Sequence, residues 1–393
     1  HELEQFVGRV AAIPLDRDRP LWEMQVIDGI VDDTIAGSVA VVTKLHHSFM
    51  DGGAGAEIMA SLFDLEPEVD NQDPDDDWVG EDVPSPARLL LDAADAALSR
   101  VGQVPGTVAR TASGLPGLMG AMFPRGAGGG LGSAAPRTPF NGPLTADRVV
   151  ALGGFSLTDV KRVKSSFGVT VNDVVLAVVA ASLRRELLVL EGLGPQADRP
   201  LVAAVPISVR PSDLEEGFGN HTSAMMVPLP AHLEDPVERL RSIHQFAMQT
   251  KGQHQAMGSD LLERWAALVP PWAISAGVQI MGRLGIARLV PPLFNLIVSN
   301  VQGPPIALYL AGAEVTAVYP LGPLMEGCGL NITVMSQGDT LHIGLIADPT
   351  LVRHPHAVAD GLTFGIEELL ERVPKGQARR RSRAKTASLE EAT

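Results

Sequence analysis

The sequence predicts a mixed α/β (α+β) fold in which strands and helices do not alternate as strict βαβ units. Short runs of β-branched residues, such as the run over residues 39–43, predict strands. Longer apolar segments over residues 172–190 and 355–373 predict helices. Hydrophobic residues make up 45% of the 393 positions, which is enough for two domains with a sizeable core.

Changes in composition divide the chain into four predicted parts. Residues 1–63 form an N-terminal portion of helix and hairpin. Residues 64–143 are first acidic and proline-broken and then rich in glycine and proline, so we expect a crossover linker. Residues 144–373 form a second half, and the basic tail over residues 374–393 is expected to be disordered.

Local signals place the helix ends. Ser156, with Asp159 three positions later, predicts a helix start, and Gly168 predicts the end of that helix. Asn172 is expected to cap the next helix, and Asp235 precedes a proline at the first helical position of another.

The predicted strands cover residues 22–30, 39–45, the region near 149, 201–209, 223–229, the segment from 294, 313–319, 330–336 and 340–346. Further predicted helices cover residues 87–100, 236–252 and 261–289.

Composition excludes several classes of function. The formal net charge of −15 argues against a nucleic-acid-binding surface, because phosphates need a basic face. Cys328 is the single cysteine, which excludes an intrachain disulfide and a multi-cysteine zinc site and fits a reducing, cytoplasmic compartment. The most apolar stretch, residues 266–282, is broken by two prolines, so we expect no membrane-spanning helix.

The candidate chemistry is concentrated in residues 39–63. A strand there delivers His46 and His47 at its end, and Asp51 and Gly52 follow in a tight turn before a helical pattern. Histidine is the side chain most easily tuned to accept a proton near neutral pH. Adjacent strand residues point to opposite faces, so we expect only one of the two histidines to face a substrate.

Other interpretations of these residues stay open at this point. The histidines and the aspartate could serve packing alone. A metal site is less favoured, because adjacent strand histidines diverge and no nearby Cys/His/Glu cluster completes a ligand set. The glycine-rich run over residues 126–132 lacks a preceding strand and predicts a linker, and Cys328 is expected to be a packed thiol.

The pattern His-His-x-x-x-Asp-Gly over residues 46–52 resembles the signature of the CoA-dependent acyltransferase superfamily. Five further segments narrow the resemblance to the bacterial wax ester synthase/diacylglycerol acyltransferase family, over residues 1 to about 373. In chain order they are PLWEMQVIDGI (20–30), NDVVLAVVA (172–180), VPISVR (205–210), FGNHTSAMMVPLP (218–230) and SNVQGPP (299–305).

This resemblance implies two chloramphenicol-acetyltransferase-like halves with a central tunnel, of which the first half is expected to be incomplete because an N-terminal segment is lacking. It implies that His47 is the general base, that Asp51 holds the histidine loop, and that His46 supports packing or hydrogen bonding. Acyl-CoA is the expected co-substrate, diacylglycerol or a long-chain alcohol is the expected acceptor, and no cofactor is needed.

The resemblance also implies supporting residues, with alternatives. Asn172 and Asp173 match a second family motif, and an amide there could orient the base or stabilise an oxyanion, although a simple helix cap accounts for both residues. Ser299 and Asn300 could line the acyl-CoA side or only end a strand. Gly52 permits close approach of the backbone to a substrate.

Two hypotheses for function follow. The first is an O-acyltransferase, with peripheral association at the inner membrane face or a lipid droplet expected because the acceptors are lipids. The alternative is a catalytically incomplete protein of the same fold that binds lipid or CoA without turnover.

Overall fold

The computed structural model describes residues 1–30, 37–46, 62–68, 84–96, 135–187, 199–208, 222–254 and 291–374, with a few isolated positions between 82 and 105. In chain order the elements are α1 (Glu2–Ala12), β1 (Trp22–Ile30), β2 (Ser38–Leu45), β3 (Val149–Ser156), α2 (Leu157–Phe167), α3 (Val171–Arg185), β4 (Leu201–Ser208), β5 (Thr222–Leu229), α4 (Pro236–His254), β6 (Leu296–Val301), β7 (Tyr309–Leu310), β8 (Ala313–Glu314), β9 (Leu330–Gln337), β10 (Thr340–Ala347) and α5 (Pro355–Glu371).

A six-stranded mixed sheet is the centre of the fold. Its strand order is β3-β10-β9-β6-β4-β5. The two central pairings, β9 with β6 and β6 with β4, are parallel, and the outer pairings are antiparallel. Parallel strands need long crossover connections, which explains why helices separate some of these strands in the sequence.

One face of this sheet carries the main hydrophobic core. Buried residues at every second position of each strand, such as Ile332 and Ile343, pack against the helices. Helix α3 buries 11 of its 15 residues, as expected for a helix that is apolar on all sides. Helix α5 lies close against it at Gly361 and Gly365, where an added Cβ would come within 2.6 Å of Ser182 Oγ and 2.9 Å of Val178 O, respectively.

The opposite face of the sheet, called the helix-free face here because α2 to α5 pack on the other side, is covered by other parts of the chain. Val150 and Ile346 on this face pack with Val7 of α1 and with Val42 of β2. The N-terminal helix and the β1–β2 hairpin therefore lie against the side of the sheet that faces away from the helical layer.

A segment over residues 315–323 also crosses the helix-free face. Gln337 Nε2 donates to Val315 O at 2.6 Å, and Asn331 Nδ2 donates to Pro323 O at 2.9 Å. Gly344 lies so close beneath Pro320 that an added Cβ would stand 1.9 Å from the proline carbonyl oxygen. The predicted strand over 313–319 is therefore wrong beyond β8: the Val315 N–H still donates to Leu308 O beside β7, but Val315 O accepts from the side chain of Gln337 instead of from a strand.

Most of the other predicted elements are confirmed within the described residues. Ser156 Oγ accepts from the Asp159 N–H, and Gly168 ends α2 with a φ of 70° in the left-handed region. Asp235 Oδ1 accepts from the N–H groups of Val237 and Glu238 at the start of α4. The described part of the predicted helix over 87–100 is helical from 86 to 96.

Several predictions fall outside the described residues. They concern most of the linker over 64–143, the apolar region over 261–289 and nearly all of the tail over 374–393. Within the described helices, none taken singly is both long and apolar enough to cross a membrane. Helices α2 and α3 reach the length and hydropathy of a membrane span only when they are taken together. The two helices are bent by 105° relative to each other, and α3 is packed inside the core.

Asp348 directly follows the last residue of β10. Its carboxylate is fully buried and accepts four hydrogen bonds, from the N–H and Oγ1 of Thr145 and from the N–H and Oγ1 of Thr350, at 2.6 to 2.9 Å. Burial alone raises the pKa of a carboxyl group, but here these hydrogen bonds outweigh it and hold the pKa of Asp348 below its ordinary value of 3.8.

Asp348→Asn is expected to lower the free energy of unfolding at pH 7 by about 2 kcal/mol, because an amide nitrogen cannot accept from the threonine donors. The folded-state pKa lies below the unfolded one, so the wild-type carboxylate stabilises the fold above about pH 4 and loses this effect as the pH falls through the folded-state pKa. Urea unfolding of both proteins between pH 7 and pH 3 measures the free energy of unfolding, and the difference between wild type and Asp348→Asn should become smaller at low pH. Asp339→Asn, in the exposed β9–β10 turn, is the matched control.

Candidate active site

The strand that leads to the predicted motif is held in place by Lys44. β2 pairs antiparallel with β1, which confirms the predicted hairpin. Lys44 Nζ lies 2.7 Å from the Glu23 carboxylate across the hairpin and donates to Val10 O at 2.9 Å and to Ile13 O at 2.5 Å. One ammonium group thus joins β2, β1 and the C-terminal end of α1 two residues before the first histidine.

His46 comes directly after β2, and its backbone N–H donates to Leu21 O at 3.0 Å, so the hairpin pairing continues to this residue. Its side chain is exposed. His47, Asp51 and Gly52 lie outside the described residues, so their predicted roles stay predictions.

The second predicted motif begins α3, but its cap is a different residue. Thr170 Oγ1 accepts from the Asp173 N–H at 3.1 Å, and Asp173 Oδ2 accepts from the Thr170 N–H at 2.8 Å. This reciprocal pair is a capping box. The prediction that Asn172 caps the helix is therefore wrong, because the threonine two positions earlier has an acidic partner at the required spacing of three.

Asp173 has a second partner on a neighbouring helix. His244 Nδ1 of α4 lies 2.8 Å from Asp173 Oδ2, and the aspartate is only 1% exposed. The carboxylate therefore fastens α4 to the start of α3. Asn172 next to it is half-buried, and no described residue hydrogen-bonds to its side-chain amide. The structure assigns a stabilising role to Asp173.

Replacing Asp173 by alanine is expected to destabilise the protein by about 2 to 3 kcal/mol, because a helix cap and a buried hydrogen-bond partner are lost together. Asn172→Ala, one residue away, should change the unfolding free energy by less than about 0.5 kcal/mol. Chemical denaturation of the two variants beside wild type measures both. Equal destabilisation by the two changes would contradict this division of roles.

Ser299 and Asn300 are adjacent on β6 and lie on opposite faces of the sheet. Ile297 and Ser299 share the helix-free face in register with Asn331 and Thr333 of β9, and Ser299 is half-buried. Asn300 points to the other side and is exposed. Only Ser299 therefore lies on the face against which the hairpin and α1 pack.

Three further polar residues on the helix-free face were not predicted. Thr333 Oγ1 donates to Asn331 Oδ1 at 2.9 Å, so these two side chains satisfy each other. His342 of β10 is 7% exposed, its ring lies edge-on to Tyr319 at 5.3 Å, and burial lowers its pKa. The signal available in the sequence was the alternation of β10, in which His342 and Gly344 interrupt leucine and isoleucine positions.

Cys328 is a packed thiol, as predicted. It is 2% exposed, and its Sγ lies 3.6 Å from both Asn295 O and Leu330 O. Burial raises the pKa of Cys328 to about 11, so the nucleophilic thiolate is scarce at neutral pH.

Native protein is expected to react with Ellman's reagent at least about a hundredfold more slowly than the unfolded chain at pH 8, because both thiolate fraction and access are reduced. The release of thionitrobenzoate with and without guanidinium measures this. Cys328→Ala should keep the protein's activity. A fast-reacting native thiol, or loss of activity in a folded Cys328→Ala variant, would contradict the assignment.

Family models match both halves of the chain. The wax ester synthase/diacylglycerol acyltransferase catalytic domain matches residues 1–175, and the WS/DGAT C-terminal domain matches residues 218–370. The first match contains the strand β2 and the predicted motif, and the second contains most of the six-stranded sheet.

Individual proteins of this family are also similar to the chain in sequence. The chain is 38% identical to Rv1760 of Mycobacterium tuberculosis over 376 residues, covering 94% of this chain and 71% of that protein. It is also 38% identical to Rv0221 of the same organism over 373 residues, covering 94% of this chain and 75% of that one. Both relatives carry the name diacylglycerol O-acyltransferase.

The fold is similar to that of the solved wax ester synthase/diacylglycerol acyltransferase from Marinobacter aquaeolei VT8. The TM-score is 0.62 at 26% identity, covering 94% of this chain and 76% of that chain. This likeness confirms the predicted mixed α/β fold class and defines the protein as an acyltransferase enzyme. The chain belongs to the wax ester synthase/diacylglycerol acyltransferase family.

Proposed function

We propose that this enzyme transfers a long-chain acyl group from acyl-CoA to the hydroxyl of diacylglycerol or of a long-chain alcohol, with His47 as general base. The observation that carries the proposal is the anchored strand β2. Lys44 anchors the end of this strand, the Leu21 carbonyl binds the N–H of His46 directly after it, and His47 follows His46 in the chain. A general base needs such a fixed support, because proton transfer depends on its position to within a fraction of an ångström.

The proposed reaction is a single acyl transfer. The neutral imidazole of His47 takes the proton of the acceptor hydroxyl as that oxygen attacks the thioester carbonyl carbon. The tetrahedral intermediate collapses with cleavage of the C–S bond, and the imidazolium returns the proton to the departing CoA sulfur. The products are an ester and free CoA, and the base is regenerated without a covalent acyl-enzyme.

We propose supporting roles for four further residues of the predicted motifs. The half-buried amide of Asn172 could donate to the developing oxyanion or to the base, whereas Asp173 is already engaged with Thr170 and His244. Ser299 is proposed to line the acyl-CoA side on the helix-free face. Asp51 and Gly52 are proposed to shape the histidine loop.

Diacylglycerol is the acceptor we favour over a long-chain alcohol. The relatives that are 38% identical to this chain carry the diacylglycerol name. The Marinobacter protein, whose name covers both activities, is 26% identical to it. Closer relatives are the better guide to an acceptor channel, since its width depends on individual side chains.

We propose that the enzyme works in the cytoplasm and contacts the inner membrane face or a lipid droplet peripherally. Its acceptor partitions into lipid, so the entrance must reach a lipid surface. Leu89, Leu90 and Leu91 in the helical stretch over 86–96 are 55%, 73% and 68% exposed, which is the kind of surface that lipid contact would bury.

His47→Ala is expected to lower the initial rate of triacylglycerol formation from palmitoyl-CoA and diacylglycerol by about 10²- to 10⁴-fold, the usual contribution of a general base. Release of the CoA thiol and the labelled lipid product measure the same turnover. His46→Ala should lose less activity, and His354→Ala, an exposed histidine at the start of α5, should retain it.

Undiminished ester formation by His47→Ala would overturn the base assignment. The alternative, a catalytically incomplete binding protein, predicts a different result. Wild-type protein would then bind acyl-CoA measurably but give no ester with diacylglycerol or with hexadecanol. Parallel reactions with the two acceptors also decide which one the enzyme prefers.

A further inference from the structure

A cleft of about 290 Å³ opens between the N-terminal helix α1 and the C-terminal helix α5. None of the predicted site residues that the structure describes lines it. Its wall contains His1 and Glu4 at the start of α1 and His356 in the first turn of α5. These residues are close in space although more than 350 positions separate the histidines.

The three side chains lie next to one another in this cleft. His1 Nδ1 lies 3.5 Å from Glu4 Oε2, and His356 Nδ1 lies 3.8 Å from Glu4 Oε1. One ligand atom from each of the three residues falls within 4.8 Å of the others. In a tetrahedral zinc site with bonds of about 2.0 to 2.1 Å, ligand atoms stand about 3.3 Å apart. The two separations exceed this spacing by about 0.2 Å and 0.5 Å and end on different oxygens of Glu4, so the side chains have to move slightly to share one ion.

Groups outside the cluster orient two of the candidate ligands. Glu4 Oε1 accepts from the Leu152 N–H at 2.9 Å, which fixes the carboxylate and leaves Oε2 turned toward His1. His1 Nε2 lies 3.2 Å from the Gln5 side-chain amide; with the amide oxygen turned toward it, Nε2 would donate its proton to Gln5 and Nδ1 would be free to bind a metal. Outer hydrogen bonds of this kind are a regular feature of metal sites.

Two arginines also line the cleft, and both guanidinium groups have other contacts. Arg148 Nη1 donates to Thr145 O and Asp147 O, each at 2.6 Å. The Arg9 guanidinium lies 5.7 Å from the centre of the Phe6 ring. Neither interaction uses the carboxylate of Glu4, so its charge is available to a cation.

We propose that His1, Glu4 and His356 bind a divalent transition-metal ion, with Zn²⁺ the best match and water as the fourth ligand. Two imidazole nitrogens and one carboxylate oxygen are a set that suits zinc and disfavours Mg²⁺ and Ca²⁺, which prefer oxygen. The ion would join α1 to α5. Since α1 also accepts the Lys44 hydrogen bonds, metal binding would stiffen the support of β2. This site is separate from the acyl-transfer chemistry and does not depend on it.

The test is titration of metal-free protein with Co²⁺ and with Zn²⁺ alone. Co²⁺ should give the strong visible absorption of a tetrahedral site, and Zn²⁺ should displace it at one equivalent and raise the melting temperature. His356→Ala should weaken Zn²⁺ binding at least about tenfold and remove the Co²⁺ spectrum. His354→Ala, two positions away and exposed, is the matched control and should bind as wild type does.

Glu4→Gln provides a second variant, because it keeps the shape of the side chain and an oxygen for the Leu152 N–H while removing the charge. It should also bind Zn²⁺ at least about tenfold more weakly. Binding of undiminished affinity in His356→Ala would show that His1 alone or another group holds the metal, and this would overturn the proposal. Absence of Co²⁺ and Zn²⁺ binding to wild-type protein would overturn it as well.

Discussion

The ammonium group of Lys44 is the interaction on which the predicted site depends most directly. It stands where three elements meet, and it is paired with Glu23 while two carbonyl groups at the end of α1 accept its protons. The C-terminal end of a helix is a favourable place for a cation, because its last carbonyls have no partners within the helix. The charge therefore stabilises α1 and at the same time fixes the strand that carries the histidines.

The strand held by Lys44 lies against a sheet whose two faces differ in composition and packing. The helical face is apolar and tightly packed, with glycines where α5 crosses α3. The helix-free face mixes small apolar patches with the polar side chains of Ser299, Thr333 and His342. A buried polar group must find a partner or a ligand. Such a face is suited to positioning groups between two parts of a protein, whereas the helical face supplies the stability.

Strand alternation and helix capping explain why neighbouring residues in the motifs have different roles. Ser299 and Asn300 lie on opposite faces because successive strand residues always do. Asp173 is drawn into the capping box and the contact with His244, and Asn172 is not. Two neighbouring residues of one motif can therefore have different structural environments: Asp173 joins two helices, whereas Asn172 makes no hydrogen bond to the side chains that the structure describes.

The same residues show that elements with local signals can be predicted from the sequence, whereas contacts between distant parts of the chain cannot. Periodicity and turn chemistry were enough for the β1–β2 hairpin, the β9–β10 pair and the ends of α2 and α4, since those signals are local. The cap at Thr170 was missed because Asn172 is the stronger capping residue in isolation, and the choice depends on which residue has an acidic partner three positions on. The path of residues 315–323 and the cluster of His1, Glu4 and His356 depend on contacts between distant parts of the chain, which no local pattern contains.

Three buried ionisable groups near the helix-free face, Asp348, Cys328 and His342, are unsuited to act as the base. Asp348 is held ionised by its hydrogen bonds, so it exchanges no proton near neutral pH. Cys328 stays a thiol because burial raises its pKa to about 11. His342 is buried against Tyr319, and an imidazole that is costly to protonate is a poor acceptor of a hydroxyl proton. The base that we propose for acyl transfer has to reach substrate and bear a transient charge, and none of these three buried groups is suited to both.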